Sequence, residues 1–309
     1  MFSDDFWNNP GSSQVLTQRA IFGFGFNAGT KTGVTNLVND EGTVASDVSA
    51  VGTARNELAG TGYGEDKAIF GYGNTGSVTG ITNLVNNNGV VASDTSGVGT
   101  SRSALAAAAF GGDKAIFAFG VISNTAQNVS NLVDNEGTVG SDVTGVGTAR
   151  HFLAAAAFGG DKAIFAFGHT TSAWTSVSNL VSNQGVVASD VTGVGALRAY
   201  MAAAGFGGDK AIFGFGFLSP GNANTGITNL VSNQGVVASD TSAVGTARIL
   251  LAAAVFGGDK AIFGYGRPAT SGSSGTGITN LVSNSGVVAS DVSGVGSSRM
   301  SLAAAGFAN

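Results

Sequence analysis

The charged residues of this chain stand in register. Arg55, Arg102, Arg150, Arg198, Arg248 and Arg299 follow one another at intervals of 47, 48, 48, 50 and 51 residues. Eight residues before each stands an aspartate: Asp47, Asp94, Asp142, Asp190, Asp240 and Asp291. A guanidinium offers a planar fork of donors that fits a carboxylate or an acidic sugar in bidentate fashion. Six of them at equivalent positions could encircle an anionic ligand. The competing use is structural: each arginine bonds the aspartate of its own or a neighbouring unit and satisfies loop carbonyls. Its occurrence in every unit favours the structural use, because a ligand site normally breaks symmetry. A second series, from Asp66-Lys67 to Asp259-Lys260, sits at Gly-rich turns and is expected to form turn hydrogen bonds and a solvated set of charges.

Other chemistry is poorly represented. There is no cysteine and only two histidines, His151 and His169, so thiolate metal sites, cysteine nucleophiles and histidine-rich centres are excluded. No dense DxDxDG loop suggests calcium, and no nucleophile, base and orienting group depart together from the repeated background. A non-enzyme without cofactor or metal is expected. Of the 14 basic residues, 12 occupy two repeat positions and the net charge is −5, which argues against nucleic acid as a partner. No apolar run is long enough for a membrane helix.

A self-similar period of about 48 residues means one supersecondary unit copied many times. The copy from Leu105 to Arg150 reads LAAAAFGGDKAIFAFG, VISNTAQNVS and NLVDNEGTVGSDVTGVGTAR. LAAAAF and KAIFAFG are strand-length apolar runs separated by Gly-Gly-Asp, a tight-hairpin signal. VSNLVD and TVGSDV form a second pair of strand-like runs around Asn-Glu-Gly. The alanine run is too short, between glycine-rich turns, to make a stable helix. Six four-stranded antiparallel units predict an all-β fold, a six-bladed β-propeller over 19–309. Alanine suits the crowded axis, while Ile116, Phe117 and Phe119 suit the wider space between blades. The repeat region opens at Arg19–Gly25 on a second strand and closes at Ser301–Asn309 on a first strand. The C-terminal strand is therefore expected to join the N-terminal blade and close the ring.

An arginine, two residues, an alanine-rich strand, a short turn and an aliphatic–aromatic strand ending in glycine make a pattern, here Arg150 to Phe158 and Ile164 to Gly168, that resembles the kelch repeat. The likeness runs over nearly the whole chain from Arg19. The chain has one glycine (Gly25, Gly73, Gly120, Gly168, Gly216, Gly266) where kelch units carry a pair, and no tryptophan in any fourth strand. The resemblance implies a propeller serving as a binding scaffold or lectin-like module. The copper oxidase class of kelch-like propellers would need the missing cysteine. SDVSGVGT lacks the spacing and closing aromatic of the sialidase Asp-box.

All length variation sits between the second-strand glycine and the Asn that opens NLV. These segments hold 10, 9, 10, 10, 12 and 13 residues, and the rest of each period is constant. Loops of this kind on a rigid scaffold carry specificity. His169, Trp174, Phe217, Leu218 and Arg267 are the binding candidates, expected exposed. Residues 1–18 lie outside the repeats, and their aromatics Phe2, Phe6 and Trp7 are expected either to pack on the propeller's rim or to act as anchors for docking in a partner. MFSDDFWNNPGSSQ has no apolar signal-peptide core, so synthesis and folding in a cytoplasm are expected. Near-identical repeats, variable loops and the lack of disulfides fit a virion protein, made in host cytoplasm and displayed outside cells. The Gly/Ala/Ser/Val-rich repeats also resemble those of phage-encoded kelch-like proteins. The expected function is that of a structural or adhesive part of a bacteriophage virion or tail appendage. Its expected partners are other assembly proteins and a host-surface glycan or protein. The alternative is a freestanding microbial carbohydrate- or protein-binding propeller.

Overall fold

The computed structural model describes residues 18–268 and 274–308, and Phe2, Phe6 and Trp7 lie outside these described residues. The fold is all-β, built from small antiparallel sheets. Among the described residues six three-stranded sheets recur once per unit, with the KAIF strand, RAIF in the first unit, in the middle. In the third unit the order is Ala106–Phe110, Lys114–Ile122 and Thr125–Val133. Phe110 pairs with Lys114 across the Gly-Gly-Asp turn, where Gly111 and Gly112 take φ of 64° and 85°. These left-handed conformations are open to glycine at little cost, which is why the turn can be so short.

The alanine-rich first strand alternates. Ala106 and Ala108 are buried, whereas Ala107 and Ala109 are only half-buried and turn to the other side. The middle strand is buried from Ala115 to Gly120, because both of its faces pack against neighbouring sheets. The hydrophobic cores therefore lie between successive sheets rather than within them. Phe119 and Ile116 pack with Leu153 and Phe165 of the next unit, and Phe167 and Ile164 with Met201 and Phe213 of the one after. One aromatic pair marks each interface, such as Tyr72 on Phe117 at 5.2 Å and Phe215 on Phe263 at 5.2 Å. Each such ring contributes about 1.5–3 kcal/mol by burial, with about 0.5–1.5 kcal/mol more for edge-to-face geometry.

The same contacts join the last unit to the first. Ala20 and Phe22 pack with Ile262 and Tyr265, and the Phe22 and Tyr265 rings lie 5.1 Å apart. Gln18–Gly23 pairs along its length with Ala303–Ala308, from Gln18 opposite Ala308 to Gly23 opposite Ala303. The C-terminal strand thus supplies the first strand of the N-terminal sheet.

One expectation is corrected. The fourth segment of each unit is not a continuous strand, so the sheets are three-stranded rather than four-stranded. In the third unit it touches the sheet through two isolated bridges, Val133 to Val139 and Ser130 to Val143. It is the outermost segment, Val143 is 47% exposed, and the stretch between the bridges is Gly-Ser-Asp, with weak strand preference. Its aspartate is also drawn towards the neighbouring unit, as described below.

The variable segment after the middle strand folds differently from copy to copy. In the third unit it prolongs the hairpin to a two-residue turn at Ser123-Asn124, with φ of 46° and 65°. In the first, Phe26–Asn27 and Thr30–Lys31 close a similar turn over Ala28-Gly29. In the fifth and sixth, Phe217–Leu218 pairs with Arg198–Ala199 and Arg267–Pro268 with Arg248–Ile249.

Candidate functional site at the variable end

All six repeat arginines are completely buried, and each guanidinium lies 4.2–4.7 Å above an aromatic ring. Arg150 stacks over Phe119 at 4.3 Å and donates from Nη1 to Thr148 O at 3.0 Å. Its Nη2 donates to Asn179 Oδ1 at 2.5 Å. Asn179 in turn donates from Nδ2 to Ala188 O and to Asp190 Oδ1, both at 2.9 Å. Asp190 accepts from Thr148 N at 3.1 Å and from the Thr148 hydroxyl at 2.5 Å, and its carboxylate lies 3.9 Å from Arg150 Nη1. The network closes on itself between two consecutive units. Burial brings the Arg150 guanidinium down to about 10, with Asp190 opposing the shift, so it stays charged at neutral pH. Burial raises the Asp190 carboxyl, but hydrogen bonds from Thr148 and Asn179 and the charge of Arg150 outweigh it and hold the group below its ordinary range.

The geometry selects the neighbouring unit's aspartate for each arginine over its own. Asp142, eight residues before Arg150, serves Thr100 and Arg102 of the preceding unit. The partner of Arg150 is Asp190, one unit further on, and Arg198 likewise meets Asp240 at 3.4 Å. The constant separation of eight is the remainder of a repeat period, not a contact. Arg299 uses Asn36 and Asp47 of the first unit, so the same network joins the two ends of the repeat region. The six buried asparagines (Asn36, Asn83, Asn131, Asn179, Asn229, Asn280) were not singled out from the sequence as functional. Their signal was there, as the constant Asn before every Leu-Val.

The Asp-Lys pairs lie at the opposite end. Lys114 Nζ sits 2.6 Å from Asp113 Oδ1 with half-exposed side chains, a class of pair contributing up to about 1 kcal/mol. Gly111 N there donates to Asp161 O of the next unit at 2.7 Å, a link between neighbouring hairpins.

At the variable end a second inter-unit feature appears. Ala104 N donates to Glu57 O (2.9 Å), Phe152 to Ala104 (2.9 Å), Tyr200 to Phe152 (2.9 Å), Leu250 to Tyr200 (2.8 Å), Ser301 to Leu250 (2.8 Å) and Glu57 to Ser301 (2.9 Å). These six bonds form a cyclic collar of backbone, one residue per unit, each two positions after its arginine. All six residues are left-handed, with φ between 50° and 60°. The collar surrounds the opening of a cavity of about 120 Å³, walled by the alanine-rich first strands. A further cavity of about 270 Å³ shares those walls and reaches the Gly-Gly-Asp turns.

Of the predicted binding residues, His169, Trp174 and Phe217 come together. Trp174 contacts His169 at 5.4 Å, Phe217 at 5.6 Å and the collar residue Tyr200 at 5.8 Å between ring centroids. His169 Nδ1 lies 3.4 Å from His151 Nε2, and Tyr200 stacks on Phe152 at 4.2 Å. Burial, with the neighbouring His169 adding to it, lowers His151 to about 4; burial also lowers His169. Leu218 and Arg267 pair by their backbones with Arg198 and Ile249, and the Arg267 charge is felt at Tyr200. All five are half-buried rather than exposed, because the loop folds back on the residue after each arginine. His151, Phe152, Tyr200 and Glu57 complete the site and were missed from the sequence. Comparing the two residues after each arginine would have found them, since those positions change in every copy.

Among the described residues, no three His, Cys, Asp or Glu side chains converge as a metal site, and no helix is long and apolar enough to cross a membrane. The chain matches no family model and no curated protein sequence.

Proposed function

We propose that this chain is a non-catalytic six-bladed β-propeller with kelch-like repeats. In this reading it is a structural and adhesive component of a larger particle, a bacteriophage virion or tail appendage, and its variable end contacts a host-surface molecule or partner protein. The propeller reading is supported by the interfaces that link each sheet to the next and the last to the first, by the terminal strand pairing and by the backbone collar. The observation that carries the functional reading is the segregation of variation. Scaffold positions repeat nearly unchanged, while loop length, loop composition and the residues after each arginine all vary at one end. A rigid frame with one diversified end is what recognition requires. The repeated arginines, asparagines and aspartates are largely engaged with one another, and among the described residues lining the cavity opening Glu57 is the one carboxylate, which supports a binding rather than a catalytic role.

The test is made on purified particles and on recombinant protein. Detection of the chain in particles, with adhesion to host cells lost when the segments 169–178 and 217–228 are exchanged for the second unit's 74–82, is the expected result. Absence from particles with adhesion retained by the free protein would favour the freestanding binding propeller. Unchanged adhesion after the exchange would overturn the variable-end reading.

A further inference from the structure

The collar positions are unusual in what they tolerate. A left-handed conformation costs a residue other than glycine about 1–2 kcal/mol, so it is retained for a reason. The chain has a second such set, Phe24, Tyr72, Phe119, Phe167, Phe215 and Tyr265. That set is uniformly aromatic because every ring carries an arginine. The collar set shares one backbone environment as well, yet it runs through Glu57, Ala104, Phe152, Tyr200, Leu250 and Ser301. The scaffold therefore does not select these side chains, and they line the opening of the cavity.

The opening is two-sided. Along one arc, Phe152 and Tyr200 stack at 4.2 Å and Trp174 extends the aromatic surface behind Tyr200. Glu57 stands three steps round the collar from Tyr200, which puts it across the opening, and Ser103 Oγ donates to its Oε2 at 3.0 Å. Burial raises the Tyr200 phenol, the charge of Glu57 raises it further and Arg267 lowers it, so both charges are felt at the opening. Below lie the methyl groups of Ala107, Ala155 and Ala203.

We propose that this opening binds the terminal ring of a neutral oligosaccharide. Its C–H face would stack on Tyr200 and Phe152, and its hydroxyls would donate to the Glu57 carboxylate. A pyranose combines an apolar face with hydroxyl donors, and the site combines an aromatic wall with one acceptor carboxylate opposite. A cationic ligand would meet the charge of Arg267 that is felt at Tyr200. This inference rests on reading the variable end as the recognition face.

The test titrates the full chain with neutral oligosaccharides ending in glucose, galactose, mannose or N-acetylglucosamine, read by saturation-transfer NMR and calorimetry. Saturable binding of at least one ring type is expected. Glu57→Gln should weaken it about tenfold, Tyr200→Ala should abolish it, and Tyr200→Phe should largely keep it. Asp209→Asn, at the opposite end, should leave it unchanged, and thermal melting checks that each variant is folded. No saturable binding to any of these sugars would overturn the proposal, as would binding indifferent to Glu57→Gln and Tyr200→Ala, or a preference for sialylated or cationic ligands. If loop exchange abolishes adhesion but the collar variants do not, this inference falls and the adhesive reading stands. If neither affects adhesion, both fall.

Discussion

At the scale of the residue, the arginine network is a set of buried charges whose every neighbour is prescribed. Arg150 must stack on Phe119, span to Asn179 and face Asp190 at once, a combination that suits a planar fork and not an ammonium. Arg150→Lys is expected to destabilise the protein by about 3 kcal/mol, because Asn179 and Asp190 lose a partner in a buried site. Asn179→Ala should cost about 1–3 kcal/mol, and the double variant should cost less than the sum of the two. Urea midpoints measure all three, and strict additivity would show that the residues do not act as one network. His151 gives a pH signature. Its folded-state value of about 4 lies below its unfolded value of 6.5, so the folded state resists protonation. Stability should be full above pH 6.5 and fall as the pH drops toward 4, by about 1–2 kcal/mol given its partial exposure. Asp47, Asp94, Asp142, Asp190 and Asp291, held below their ordinary range, lose their contribution only at lower pH. His151→Phe should flatten the decline between pH 6.5 and 4 in urea titrations; an unchanged slope would assign it elsewhere.

At the scale of the element, the first two strands and their hairpin were legible because short-range chemistry specifies them. Gly-Gly-Asp fixes the turn, and the alanine and Ile-Phe runs have no helical alternative of sufficient length. The fourth segment was over-read. TVGSDV has the spacing of a strand, yet it lies outermost and its aspartate is bonded across the unit boundary, so only two bridges form. The sequence leaves open, for a related reason, whether the aspartate of its own or of a neighbouring unit meets each arginine: in a repeat, any two repeated positions keep a constant separation whether or not they touch. Only packing decides which copy supplies the partner. The variable loops were located from length alone, but length is blind to substitutions. The collar residues, constant in number and different in kind, were therefore overlooked, and so was the fold-back that half-buries Trp174 and Phe217.

At the scale of the whole molecule, no unit is complete by itself. Each core lies between two sheets, and the first sheet contains a strand from the far end of the chain. Removing 303–309 should therefore do more than fray one edge. It exposes the edge of Gln18–Gly23 and opens the cores on both sides of that sheet, so loss of the cooperative thermal transition is expected, with aggregation on size-exclusion chromatography. A synthetic peptide of the missing strand should restore the transition by strand addition. A truncated chain that melts as sharply and as high as the intact one would contradict this account.

The collar bonds run from main chain to main chain and make no use of the side chains they carry. Inheritance can therefore alter the side chain at one of the six positions without breaking the backbone bonds that link it to the other five. The molecule behaves as a combination lock with six dials, each turned by single codon changes while the casing stays shut. Closely related copies of such a chain should differ first at these dials and last at the arginines beneath them.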